Sequence, residues 1–430
     1  MSVPDHLFDY QKTGAQFLAE NPAAFLADEQ GLGKTIQVIA ACDQLGLKKV
    51  VVVCPAIAKI NWKREFDKWG AVEREVLVHS YDKLTQSKEV RSAIAAFEPD
   101  VLVLDEAHYL KNRQAKRTKY LYGQHCRGDG LVRFADRVWL LSGTPIPNDV
   151  SDFWTHLKAI WAYPLNAVEY TLYFCKTWNG QFGLKVLGNK TERMGEFKTI
   201  LKSIMLRRKA DKVLTELPPL WWQDTVVEVA GWDDMAHIDN PDERQAVELI
   251  LQSALTQQDV SGQLDAIAPS MASLRRLTAL AKAKPVAAQL SAELKDHAYD
   301  KVVVFAYHRA ALEALREELA EFNPAYIVGG MGAQERQAEI DRFQSDPQCR
   351  VFIGQVTACS TAITLTAANQ VVFLEMDWVP ATNAQASKRC HRIGQSKPVI
   401  VRSFGLANSC DEIVARTLAK KAQMISEVLE

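Results

Sequence analysis

The sequence predicts an α/β protein of two tandem lobes, each a mostly parallel sheet flanked by helices. Short β-branched runs alternate with helix-length segments, the alternation breaks off and resumes, and Leu217-Pro218-Pro219 stands in the gap, where two prolines disfavour a continuing helix. The first set is Phe25–Leu26, Val50–Val53, Val76–Val78, Val101–Leu104 and Val138–Leu141. The second is Val302–Phe305, Tyr326–Val328, Val351–Ile353, Val371–Leu374 and Val399–Val401. Runs apolar throughout, each followed by a longer connection, suit parallel strands covered on both faces. Lobe one is expected over residues 1–217 with a helical insertion at about 151–212, and lobe two over 218–430 with one at about 231–285.

Composition narrows the class. The 430 residues are 48% hydrophobic and 24% charged, with a formal net charge of −1, so nothing global draws the chain to a polyanion. Its eight cysteines form no Cys-x-x-Cys pair, which argues against a zinc framework and fits reduced thiols in a cytosol. The longest apolar stretch, Val50 to Ala58, is short and broken by Pro55, so no membrane partner is expected.

Along lobe one, Gln11 comes first, in Leu7-Phe8-Asp9-Tyr10-Gln11; its amide can donate to and accept from the edges of an adenine. Ala27-Asp28-Glu29-Gln30-Gly31-Leu32-Gly33-Lys34-Thr35 then joins a strand to a helix and reads as a phosphate-binding loop. Its glycines let backbone N–H groups curl toward phosphate oxygens, and the helix adds the positive end of its dipole. Lys34 would meet the β- and γ-phosphates, and Thr35 would ligate magnesium. Asp28 stands where the strict loop pattern begins with glycine.

The run Val101–Leu104 ends in Asp105-Glu106-Ala107-His108. Carboxylates leaving the C-terminal end of a parallel strand sit where such sheets bind ligands. Asp105 would hold magnesium, and Glu106 would orient and deprotonate an attacking water. Hydroxyls of Ser142-Gly143-Thr144-Pro145, after the next strand, could reach Asp105 or His108, although an ordinary turn has the same composition. In lobe two, Arg389 and Arg392 are three apart, a spacing that on a helix places both guanidinium groups on one face toward a triphosphate. Lys34, Asp105, Glu106, Arg389 and Arg392 are therefore the candidate catalytic residues. Gln11, Glu29, Gly31, Leu32, Gly33, Lys34 and Thr35 form the ATP-binding set, with Thr35 and Asp105 the Mg2+ ligands.

Taken together these motifs resemble the Swi/Snf family of helicase-like ATPases within superfamily two. The likeness rests on the phosphate loop, Val53-Cys54-Pro55 with Asn61-Trp62-Lys63-Arg64-Glu65-Phe66, and the DEAH box with Leu110-Lys111-Asn112. It continues through Ser142-Gly143-Thr144-Pro145-Ile146-Pro147-Asn148, Met205-Leu206-Arg207-Arg208 and His391-Arg392-Ile393-Gly394-Gln395. Leu274-Arg275-Arg276-Leu277-Thr278 and Thr364-Leu365-Thr366-Ala367-Ala368 look like the annealing-helicase branch and its prokaryotic and viral relatives.

The resemblance implies two RecA-like lobes using ATP and Mg2+, and a DNA-stimulated ATPase that translocates on double-stranded DNA, plain, forked or branched. It implies arginine fingers at Arg389 and Arg392, and places Pro55, Ser80, Tyr81, Tyr307, His308, Thr364, Thr366 and Trp378 near the DNA backbone. For Tyr307 and Trp378 a place in the core is as consistent. Ser360 and Ala362, where the family usually has glycines, and Gly329-Gly330-Met331 depart from its pattern on the lobe-two grip. A strand-separating helicase and a non-hydrolysing DNA-binding scaffold are the alternatives. The motifs occupy nearly the whole chain, so a bare monomeric motor from a bacterial, archaeal or viral source is expected.

Local charge supplies the polyanion surface that net charge lacks. Lys111 to Arg137 holds eight basic residues against two acids, and Lys185 to Lys212 nine against three. Contacts of this kind weaken steeply with salt. Residues 233–248 are acidic and are expected to form a solvated protrusion.

Overall fold

The computed structural model describes residues 7–180, 183–214, 217–237, 268–359, 363–392 and 394–415, with 241, 244, 245, 248, 417–419 and 422. The chain divides into two compact units, the first running to Thr215 and the second beginning at Glu216.

The first unit holds β1 (Ala23–Leu26), β2 (Lys49–Cys54), β3 (Glu75–Ser80), β4 (Val101–Asp105), β5 (Arg137–Leu141) and the two-residue β8 (Met205–Leu206). They form one sheet in the order β3-β2-β4-β5-β1-β8, parallel throughout. Val50 to Cys54 and Val101 to Leu104 are fully buried, as strands with helices on both faces must be. An antiparallel hairpin, β6 (Cys175–Gly180) with β7 (Gly183–Asn189), stands apart from this sheet.

The second unit has β9 (Leu220–Val227), β10 (Val302–Ala306), β11 (Ala325–Ile327), β12 (Val351–Gln355), β13 (Gln370–Phe373) and β14 (Val399–Leu406). Their order is β11-β12-β10-β13-β14-β9, again parallel throughout. Both sheets have the helix-flanked build expected of RecA-like lobes.

Every strand read from an apolar run is present, and β6, β7, β8 and β9 are added to them. In β9, at the sheet edge, Trp221 and Trp222 are about half exposed, and Gln223, Asp224 and Thr225 interrupt its apolar residues. Residues 151–212 are not simply helical, because they include the β6–β7 hairpin and β8, whose register with β1 pairs Phe25 with Met205. Of the 231–285 insertion, most of 238–267 lies outside the described residues. Beyond it the helix Ala268–Lys295 runs past Pro285. Two ion pairs, each with its cation buried and its acid partly exposed, fasten this helix around β14: Lys282 Nζ to Asp411 Oδ2 at 2.6 Å, and a bidentate Arg402–Glu293 pair at 2.7 and 2.8 Å.

Of the acidic stretch expected to be solvated, Asp233 and Glu248 are exposed, and Asp234 departs from the expectation. Asp234 is buried, accepting the Trp232 indole N–H at 2.8 Å and the Cys410 N–H at 2.6 Å, while Asp239, Asp242 and Glu243 lie outside the described residues. Among the described residues no helix is long and apolar enough to cross a membrane.

Candidate functional site

After β1 the chain loops through Asp28 to Gly33 and enters the helix Lys34–Leu45. Gly33 caps that helix in the left-handed region, φ 73°, and a Cβ there would sit 2.6 Å from Gln11 Nε2, so both conformation and space demand glycine. Gln11 is almost fully buried. Its Oε1 accepts the Phe8 N–H at 3.2 Å and its Nε2 donates to the Leu32 carbonyl at 3.3 Å, tying the first helix, Asp9–Glu20, to the loop. One N–H and one lone pair of the amide are left for a base. Lys34 Nζ donates to the carbonyls of Asp28, at 2.8 Å, and Glu29, at 3.4 Å, so the ammonium lies within the curl.

Asp28, the departure from the strict pattern, proves to be a buried anchor. Its carboxylate accepts Arg208 Nε at 2.9 Å, Arg208 Nη2 and Gln37 Nε2 at 3.1 Å. Arg208 also donates to Gln37 Oε1 at 2.8 Å and to the Tyr10 carbonyl. A Cβ on Gly14 would fall 1.7 Å from Gln37 Oε1, so glycine there admits the cluster. Arg207 Nη1 bridges the carbonyls of Ala27 and Gly143 at 3.1 and 3.2 Å, joining the loops after β1 and β5. Sequence reasoning counted both arginines as polyanion surface; the structure turns Arg208 onto the buried Asp28 and Arg207 onto two backbone carbonyls.

At the end of β4, Asp105 is held from three sides. Its Oδ2 accepts Trp62 Nε1 at 2.8 Å, its Oδ1 accepts the Glu106 N–H at 2.9 Å, and its carbonyl accepts the Tyr81 hydroxyl at 2.8 Å. Burial, and then the charge of Glu106, push the Asp105 carboxyl above its ordinary value, while the Trp62 bond and the charge of Lys34 oppose the rise. Glu106 has φ 50° and ψ 51°, a left-handed conformation that a non-glycine residue adopts at a cost and that here turns the chain sharply off the strand. His108 Nδ1 lies 3.3 Å from Glu106 Oε2 and 3.0 Å from Ser142 Oγ, which accepts the Thr144 N–H at 3.1 Å. The hydroxyl loop therefore meets His108.

The donor set suits a small hard cation. Asp105 and Thr35 offer oxygen ligands, and no cluster of three or more His, Cys, Asp or Glu side chains among the described residues could cage a metal. Mg2+ is characteristically held by one or two protein oxygens together with substrate phosphates.

Three residues expected at the DNA backbone are enclosed instead. Tyr81 is fully buried, with its hydroxyl on Asp105. Ser80 accepts the Lys83 N–H at 3.1 Å as a helix cap, and Pro55 is buried at the end of β2. These positions are strand-to-helix junctions, where packing consumes the side chain.

In the second unit the helix Pro380–Ser387 stops before the arginines, so Arg389 and Arg392 leave an irregular turn rather than one helical face. Arg389 is 1% exposed, and its carbonyl accepts the Leu365 N–H at 2.9 Å. Arg392 donates to the Lys388 carbonyl at 3.2 Å and to Thr364 Oγ1 at 3.1 Å. Gln395, whose role sequence reasoning missed, organises the turn: Nε2 faces the carbonyls of Ala368, Cys390 and Thr366 at 2.9, 3.1 and 3.2 Å. Thr366 Oγ1 accepts Gln344 Nε2 at 3.2 Å. Tyr307 and Trp378 flank the buried Arg275, whose guanidinium carbon is 5.2 and 5.0 Å from their ring centres, and His308 Nδ1 meets the buried Glu375 at 2.7 Å. Ile393, Ser360 and Ala362 lie outside the described residues.

The two basic stretches of the first unit are less exposed than their sums suggest. Arg137 donates to the Ala19 carbonyl, Arg117 to that of Tyr109, and Lys111 pairs with Asp152 at 3.2 Å. Arg113, Lys116, Arg127, Arg133, Lys202 and Lys212 stay exposed.

The pattern of the SNF2-related domain matches residues 10–74 and 70–230, and that of the helicase conserved C-terminal domain matches 285–394. The Drosophila melanogaster SWI/SNF-related matrix-associated actin-dependent regulator of chromatin subfamily A-like protein 1 is 29% identical, over 99% of this chain and 56% of that protein. The Mus musculus DNA annealing helicase and endonuclease ZRANB3 is also 29% identical, over 98% of this chain and 41% of that protein. The chain thus spans about half the length of these curated relatives. The solved Sulfolobus solfataricus SWI2/SNF2 ATPase core in complex with dsDNA is 20% identical with a TM-score of 0.44, over 100% of this chain and 95% of that one.

Proposed function

Because this chain belongs to the SNF2-related family, we propose that it is a DNA-stimulated ATP hydrolase that moves along double-stranded DNA and remodels the structures it meets. One observation carries the reading: the phosphate loop after β1 and the Asp105–Glu106 pair after β4 leave the same carboxyl edge of one parallel sheet, where open α/β sheets bind nucleotides.

In this reading the loop N–H groups and Lys34 hold the β- and γ-phosphates, and Gln11 offers its remaining N–H and lone pair to the base. Thr35 and Asp105 hold Mg2+, which when bound neutralises phosphate charge. Glu106 orients a water and takes its proton as the water oxygen bonds to the γ-phosphorus and the bond to the leaving oxygen breaks. His108, between Glu106 and Ser142, keeps that carboxylate in place. Arg389 and Arg392 add positive charge to the transferred phosphoryl group. The exposed basic residues of the first unit contact phosphates without reading bases, as movement along any sequence requires. The annealing activity in the name of the mouse relative makes forked or branched duplexes the first substrates to try.

ATP turnover compared on blunt duplex, forked duplex, single strands and RNA tests this directly, with triplex displacement and strand displacement run beside it. Duplex-stimulated phosphate release with triplex but not strand displacement is expected. No phosphate release with duplex DNA, ATP and magnesium present would make the chain a scaffold, and efficient strand separation would make it an ordinary helicase.

A further inference from the structure

Trp62 is 1% exposed on the helix Ala58–Trp69 that follows β2, and its ring packs on Phe66 with centroids 6.0 Å apart. An indole has a single polar atom, an N–H donor, and a buried one needs an acceptor. Here the acceptor is Oδ2 of Asp105 on the adjacent strand β4, at 2.8 Å, when any carbonyl would satisfy the donor equally well. With the Glu106 N–H on Oδ1 and the Tyr81 hydroxyl on the carbonyl, the rotation of the carboxylate is fixed, while each oxygen keeps a lone pair free of these bonds.

We infer that Trp62 is a positioning residue for cation binding: its indole N–H orients the Asp105 carboxylate in advance, so that divalent metal meets an acceptor already aimed. The inference rests on the reading of Asp105 as the cation-holding carboxylate. Residues that orient a metal ligand from behind typically govern 10–100-fold in metal affinity when removed, without touching the metal. A ring that only fills the core would do nothing of the kind, and phenylalanine could replace it.

The test is equilibrium binding of fluorescent ADP to the full chain, in EDTA and across a magnesium titration, with thermal melting of the same samples. Trp62→Phe keeps an aromatic ring on the helix and deletes the donor. The expected result is wild-type ADP affinity in EDTA, with the magnesium needed for half of the metal-dependent gain raised about tenfold or more. An unchanged magnesium requirement overturns the inference. If Trp62→Phe fails to fold, 3-benzothienylalanine at position 62 preserves the bicyclic shape and replaces only the N–H, and the same two results decide. Wild-type protein whose ADP affinity ignores magnesium would overturn the reading of Asp105 itself, and the inference with it, an outcome separate from a wild type that responds and a variant that responds equally.

Discussion

The carboxyl edge of the first sheet and the arginine turn of the second unit hold their charged side chains in different ways. At the sheet edge Lys34, Asp105 and Glu106 follow directly from the ends of regular elements, and buried groups behind them, Arg208 on Asp28 and Trp62 on Asp105, fix each loop. At the turn no element end supplies the geometry. Arg389 and Arg392 follow a helix that has already stopped, and the Gln395 amide gathers the carbonyls that shape the loop. A site built on strand ends inherits its precision from the sheet, whereas a site built on a turn depends on a hydrogen-bonding hub.

Substitutions can break the contrast, and the largest effect is expected at the sheet edge. Lys34→Ala should bring DNA-stimulated phosphate release down to background while leaving the melting transition nearly unchanged; retained turnover would remove the loop from the chemistry. Arg389→Ala should slow hydrolysis by about 10³ to 10⁵ if its charge reaches the transferred phosphoryl group, measured as kcat at saturating ATP and DNA. Gln395→Ala should cost about 1–3 kcal/mol in denaturant unfolding, because buried carbonyls lose their donor, and should lower kcat more than it alters nucleotide affinity.

A smaller, pH-dependent effect sharpens the comparison on the first unit's side. His156 is buried against Phe25 and Phe153, its Nδ1 2.8 Å from the Tyr122 hydroxyl, and burial, with a lesser push from His108, lowers its pKa from 6.5 to about 3. The folded state therefore keeps it neutral where the unfolded chain binds a proton. Its contribution is complete above pH 6.5 and is lost as pH falls from there toward 3, by at most about 1.4 kcal/mol per pH unit. Denaturant unfolding at pH 7 and pH 5 should show this slope in the wild type and a shallower one in His156→Gln.

Residues alone determined the two-unit α/β plan and showed that a glycine–lysine loop and a pair of acids follow the strand runs Phe25–Leu26 and Val101–Leu104. Apolar β-branched runs report strands buried on both faces, and glycine, lysine and acid at strand ends report where phosphates go. Edge strand β9 and the hairpin β6–β7 escaped because polar residues interrupt their apolar ones, Gln223 and Asp224 in β9, Lys176 and Thr177 in β6 and Lys185 in β7. Only the tertiary structure decided which charges face inward. Arg208 and Asp28 are 180 positions apart, and Trp62 and Asp105 are 43 apart, so local periodicity could not reveal either pair. The burial of Tyr81 and the turn that carries Arg389 have the same origin, since packing between distant segments sets which face of a residue meets water.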